Sequence, residues 1–115
     1  MARVVAFIPD LLFGSNVVGA LAAAGHETVL ASDPEAVRRE LPGAQVLVVD
    51  LTAEAPERIA QVTGITAPGV KTLAFYSHVE TDVRAQAERA RFDLVVPRSR
   101  MAREGAALVT RLTTS

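Results

Sequence analysis

"AQVLVVDLT", residues 44–52, carries four aliphatic residues in a row, Val46 to Val49, and then stops on an acid. A short unbroken apolar run reads as a strand covered on both faces, the pattern of a parallel sheet sandwiched between helices. A carboxylate is too costly to bury inside such a strand, so Asp50 belongs at its end. There it either turns the chain or does chemistry.

The same alternation extends outward in both directions. Val4 to Ile8 reads as a first strand, and Leu11 to Ala24 as a helix with Val17, Val18 and Leu21 on one stripe and Gly25 closing it. "HETVLA" mixes polar and apolar positions, as suits a strand near a sheet edge. In "SDPEAVRREL", Asp33 is placed as an N-cap, Pro34 at the first helical position and Glu35 in the first turn. Beyond Asp50 come a weaker helix over roughly Pro56 to Val62, the loop "TGITAPG" and a strand in "VKTLAFYS". A polar helix from Glu80 to Arg91, a fifth strand in "FDLVV" and a last helix, capped by Ser99 and running to about Leu112, complete the chain. Five β-α units predict an α/β fold, a three-layer αβα sandwich around a five-stranded parallel sheet of order 2-1-3-4-5.

Composition narrows the function classes. A chain of 115 residues has room for one core, so a single domain over residues 1–115 with no output domain is expected. Twelve Lys and Arg against thirteen Asp and Glu leave a formal charge of -1, which favours neither nucleic acid nor an anionic membrane as partner. The absence of cysteine excludes disulfides and thiolate metal sites. "MARVVAFIPD" reaches Pro9 and Asp10 too early for a signal peptide or a membrane span, and a cytoplasmic protein is expected.

In such sheets functional groups collect beyond the C-terminal ends of the strands. Pro9-Asp10 follow the first strand, Asp50-Leu51-Thr52 the third, Ser77-His78 the fourth and Pro97-Arg98-Ser99 the fifth. Two acids, a hydroxyl and a guanidinium therefore share one edge. The second strand ends off this cluster.

With these residues the chain resembles the receiver domains of bacterial response regulators, a flavodoxin-like family of two-component signalling. The resemblance covers essentially the whole chain, including "AAAGHETVLASDPEAV" and "FDLVVPRS". It implies that Asp50 corresponds to the phosphate-accepting aspartate, Ser77 to the hydroxyl after the fourth strand and Asp10 to the second acid of the pair after the first. The separations agree: 40 residues from Asp10 to Asp50, 27 on to Ser77 and 21 more to Arg98. It also implies a magnesium site at Asp10, Asp50 and the carbonyl of Thr52.

The chain departs from the family at several of its key positions. Pro9 stands in place of the first acid, Arg98 in place of a Lys, Ser99 in place of a Pro, and Val95 where an aromatic residue is usual. Losing a carboxylate weakens a magnesium site that relies on few of them. Asp10 and Asp50 in one cleft would repel unless a cation intervened. Arg98 is expected to be that cation, substituting for metal and holding the domain in one state as an atypical, or pseudo, receiver.

Three functions follow. The first is a phosphorylation-independent signalling module that docks to a protein partner, through its fourth and fifth helices or as a homodimer. The second is a magnesium-dependent receiver taking phosphate onto Asp50 from a histidine kinase; this autocatalysed transfer is the most enzymatic activity expected. The third is a flavodoxin-like small-ligand or anion binder using Arg98 and Ser99. Leu11, Leu12 and Phe13 add an apolar patch at the same edge, suited to a partner. Other chemistries lack their motifs: there is no GxGxxG, P-loop or GxSxG, no His in the loop after the first strand for cobalamin, and no ligand spacing around His26 or His78.

Overall fold

Val46–Asp50, four aliphatic residues closed by an acid, is the central strand, and every one of its residues is buried. The computed structural model describes residues 2–66, 68–77 and 81–114. Its strands are β1 (Arg3–Phe7), β2 (Glu27–Ala31), β3 (Val46–Asp50), β4 (Lys71–Tyr76) and β5 (Leu94–Pro97). Its helices are α1 (Leu11–Ala23), α2 (Pro34–Glu40), α3 (Ala55–Thr63), α4 (Thr81–Arg89) and α5 (Arg98–Thr114). All pairings are parallel and the order is β2-β1-β3-β4-β5, as the alternation of elements predicts.

Alternate residues of each strand face opposite sides, and this pleat builds two cores. Val5, Phe7, Leu47, Val49 and Tyr76 pack under α2, α3 and α4. Val4, Ala6, Val46, Val48 and Phe75 pack under α1 and α5. The alternation continues through β3, so Asp50 falls in step with Val46 and Val48, on the side of α1 and α5.

Capping sets the helix starts. Asp33 accepts from the Ala36 N–H at 2.8 Å ahead of Pro34, as expected. The end of α1 is marked by Gly25, whose φ of 92° is one that side-chain-bearing residues rarely adopt. On its inner face Gly14 is buried, where a Cβ would stand 2.8 Å from Leu30 Cδ1 of β2. This glycine, together with Val17 and Leu21, makes the buried stripe, while Val18 is only half-buried. The expected cap of α5 differs: the helix starts at Arg98, directly after β5, so Ser99 lies inside its first turn. The start of α4 at Glu80, and His78, lie outside the described residues.

A second polar cluster ties the opposite end of the sheet. His26 is buried and its Nδ1 accepts the Ala2 N–H at 3.2 Å. Its Nε2 lies 3.0 Å from Thr110 Oγ1, and that hydroxyl donates to the Ala106 carbonyl. The imidazole must therefore donate through Nε2, which assigns one neutral tautomer.

Candidate functional site

The C-terminal edge of the sheet brings Asp10, Asp50, Ser77 and Arg98 to one rim, because each closes a β-strand or opens the segment after it. They do not, however, form one network.

Asp10 turns the chain from β1 into α1. Its Oδ1 accepts from the Phe13 N–H at 3.1 Å, a side-chain N-cap, and its carbonyl accepts from the Gly14 N–H. The other carboxylate oxygen faces Arg98 Nη2 at 3.7 Å, with both side chains about half exposed, at 51% and 49%. The capping role and the site role are thus filled by different oxygens of one carboxylate.

Asp50 is only 4% exposed. Its Oδ1 accepts from the Thr52 N–H at 2.8 Å and from the Thr52 hydroxyl, closing a small turn over the strand end. Its backbone carbonyl accepts from Arg58 Nη1 at 2.9 Å. Arg58 is a member of the rim that the sequence did not flag. Its side chain is 11% exposed, its guanidinium lies 5.1 Å from the centroid of Phe7, and Nη2 is 4.0 Å from Glu54. Glu54, at φ 52° and ψ 42°, bends the backbone in the left-handed region just before α3. From sequence the pair looks like a solvated i,i+4 ion pair, and only the hint that an Arg follows eight residues after a strand-ending Asp was available.

Arg98 is placed differently from expectation. The sequence predicts that it neutralises Asp10 and Asp50 together; among the described residues its ion pair is with Asp10, not Asp50. The cause is Phe13. The guanidinium carbon lies 4.3 Å from the centroid of that ring, and Phe13 in turn meets Phe75 at 5.1 Å in a tilted arrangement. Phe75 pairs in register with Asp50. A column of Phe75, Phe13 and Arg98 thus rises beside the buried acid, keeping the cation at the surface. Phe13, Ser77, Arg98, Ser99 and Ala102 line an open hollow of about 360 Å³ at its top.

The receiver resemblance implies magnesium, and the donor set fits it poorly. Pro9 offers no side-chain oxygen, Asp10 divides its oxygens between a helix cap and Arg98, and Asp50 Oδ1 is engaged by Thr52. Among the described residues no three His, Cys, Asp or Glu side chains gather where they could hold a metal ion.

By sequence the chain matches no family model and no curated protein. By structure it is similar to a response regulator from Thermotoga maritima, at 15% identity and a TM-score of 0.84, covering 100% of this chain and 99% of that one. It is also similar in shape to the receiver domain of the Francisella response regulator 1452, at 13% identity and a TM-score of 0.80, covering 97% and 96%. The receiver fold is therefore shown. A response regulator receiver domain protein from Clostridium thermocellum, at 13% identity and a TM-score of 0.79, has this receiver fold too, with 97% and 94% covered. No helix among the described residues is long and apolar enough to cross a membrane.

Proposed function

We propose that this chain is an atypical receiver module that signals by associating with protein partners and does not depend on phosphorylation of Asp50. The observation that carries the proposal is the state of Asp50: buried to 4% exposure, with one carboxylate oxygen held by both the backbone and the hydroxyl of Thr52. A phosphoacceptor must offer a carboxylate oxygen to the incoming phosphorus and a partner cation to the charge that develops. Here Pro9 replaces one acid, and Arg98 is turned to Asp10. An output through association needs neither magnesium nor phosphate.

The competing proposal, a magnesium-dependent receiver phosphorylated by a histidine kinase, draws support from Asp50, which ends β3, and Ser77, which directly follows the adjacent β4, lying on the same edge. Beryllofluoride, a phosphoryl mimic, separates the two. With magnesium present, amide spectra of the wild type and of Asp50→Asn should be equally unresponsive to it. Saturable, magnesium-dependent shifts around Asp50 in the wild type, absent in Asp50→Asn, would establish the phosphorylatable receiver instead.

A further inference from the structure

The surface of α1 stands apart from that of every other helix. From Leu11 through Gly25 the chain has no charged residue. Each of the other helices exposes charged side chains, among them Arg38 and Arg39 on α2, Glu57 on α3, Arg84 and Glu88 on α4, and Arg103 and Glu104 on α5. The inner half of α1 is accounted for by Gly14, Val17 and Leu21. Its outer half presents Leu11, Leu12, Ser15, Gly19, Ala22 and Ala23. Leu11 and Leu12 are 70% and 76% exposed and are the exposed large hydrophobics among the described residues. A helix that is hydrophobic all round is normally buried, and α1 departs from that on its bare side only at the uncharged Ser15 and Asn16.

We propose that a second copy of this chain covers the outer face of α1, through an antiparallel, two-fold pairing of α1 with α1. Two properties of the face select this occupant. It is uncharged along its length, so pairing it with itself strands no buried charge, whereas a surface carrying the charges found on the other helices would lose their hydration without compensation. Bulk is also graded along it: the leucines sit at the N-terminal end, while Gly19, Ala22 and Ala23 leave the C-terminal end low. An antiparallel two-fold lays the leucines of each copy over the small residues of its partner, the self-complementarity that an isologous interface requires. Parallel pairing would oppose leucine to leucine and leave a gap at the other end. With 13 residues, α1 is about 20 Å long, so the interface falls below the ~800 Å² per partner of a standard complex and the dimer is reversible. This deepens the association reading given above by naming the surface and the partner.

Gly19 lies near the axis of this pairing and provides the test. A side chain added there meets nothing within 4 Å in the single chain, and arginine is a better helix former than glycine. Gly19→Arg should therefore keep the native circular dichroism spectrum and thermal transition in dilute solution while placing two cations face to face in the dimer. Sedimentation velocity from about 10 µM to about 1 mM should show the wild type passing from monomer to dimer, and Gly19→Arg should weaken the association at least about tenfold. Because the chain has no cysteine, Gly19→Cys supplies a positional check. Mild copper-phenanthroline oxidation should link it into a covalent dimer much faster than Ala107→Cys on α5. A wild type monomeric throughout the range overturns the proposal, as does a dimer indifferent to Gly19→Arg, or equal cross-linking at the two cysteines. None of these outcomes alters the beryllofluoride test, so failure of the dimer and failure of the phosphate-independent reading remain distinguishable.

Discussion

Arg98 lies over the ring of Phe13, with its guanidinium carbon 4.3 Å from the ring centroid, and from there it reaches Asp10 at 3.7 Å. A half-exposed ion pair contributes about 0.2–1 kcal/mol, and an exposed cation–π contact about 0.5–1 kcal/mol. Neither is strong enough to dominate the fold. Together they suffice to choose the orientation of one surface side chain.

Arg98→Ala is expected to lower stability by about 1 kcal/mol, measured by urea unfolding. Adding Phe13→Leu to it should cost less than the sum of the two single changes, because the contact between them is already gone. Strict additivity of the two would show that the stacking contributes nothing.

Asp10 has two separable roles. Asp10→Ala removes the cap of α1 and should cost about 1 kcal/mol, whereas Asp10→Asn keeps an acceptor for the Phe13 N–H and should cost only a few tenths. The loss in Asp10→Asn should shrink as salt is raised, since it reports the exposed pair with Arg98. Equal losses in the two variants would mean that the cap is not formed.

Arg58 supports the chain at Asp50 from the other side of the sheet. Arg58→Ala is expected to cost about 2 kcal/mol, through loss of the hydrogen bond to the Asp50 carbonyl and of the buried stem against Phe7. Arg58→Met retains the stem and should cost about half as much. Amide shifts in both variants should centre on residues 50–54. An unperturbed turn at those residues would refute the strut.

His26 joins the segment before β1 to α5 with both ring nitrogens engaged. His26→Ala leaves the Ala2 N–H without its acceptor and opens a cavity, and a loss of about 2–4 kcal/mol is expected. Hydrogen exchange should accelerate first at Ala2 and near Thr110. A loss below about 0.5 kcal/mol would place the ring outside the core it is seen to join.

Much of this was legible from residue order. Four aliphatic residues closed by Asp50 placed that acid at a strand end, and the β-α alternation then put Asp10, Ser77 and Arg98 on the same rim. Asp33 followed by Pro34 located the start of α2 because its capping geometry involves only neighbouring residues. Sequence was a partial guide at α1: it put Val17 and Leu21 on the inward stripe, but Val18 is only half-buried, because small and apolar residues lie on all sides and no polar stripe marks the outward face. Which face turns inward depended on Gly14 allowing the helix to approach Leu30. The buried position of Arg58 was equally hidden, since its spacing from Glu54 matches that of an ordinary exposed pair.

The order of residues alone determined the architecture, the strand ends and the set of polar groups on the rim, because periodicity, turn chemistry and capping act over a few consecutive positions. Which acid Arg98 holds, how deeply Asp50 is covered and which half of α1 stands bare were decided by packing. Those outcomes turn on distances between residues far apart in the chain, where alternatives differing by about 1 kcal/mol compete and local pattern carries no information about the winner.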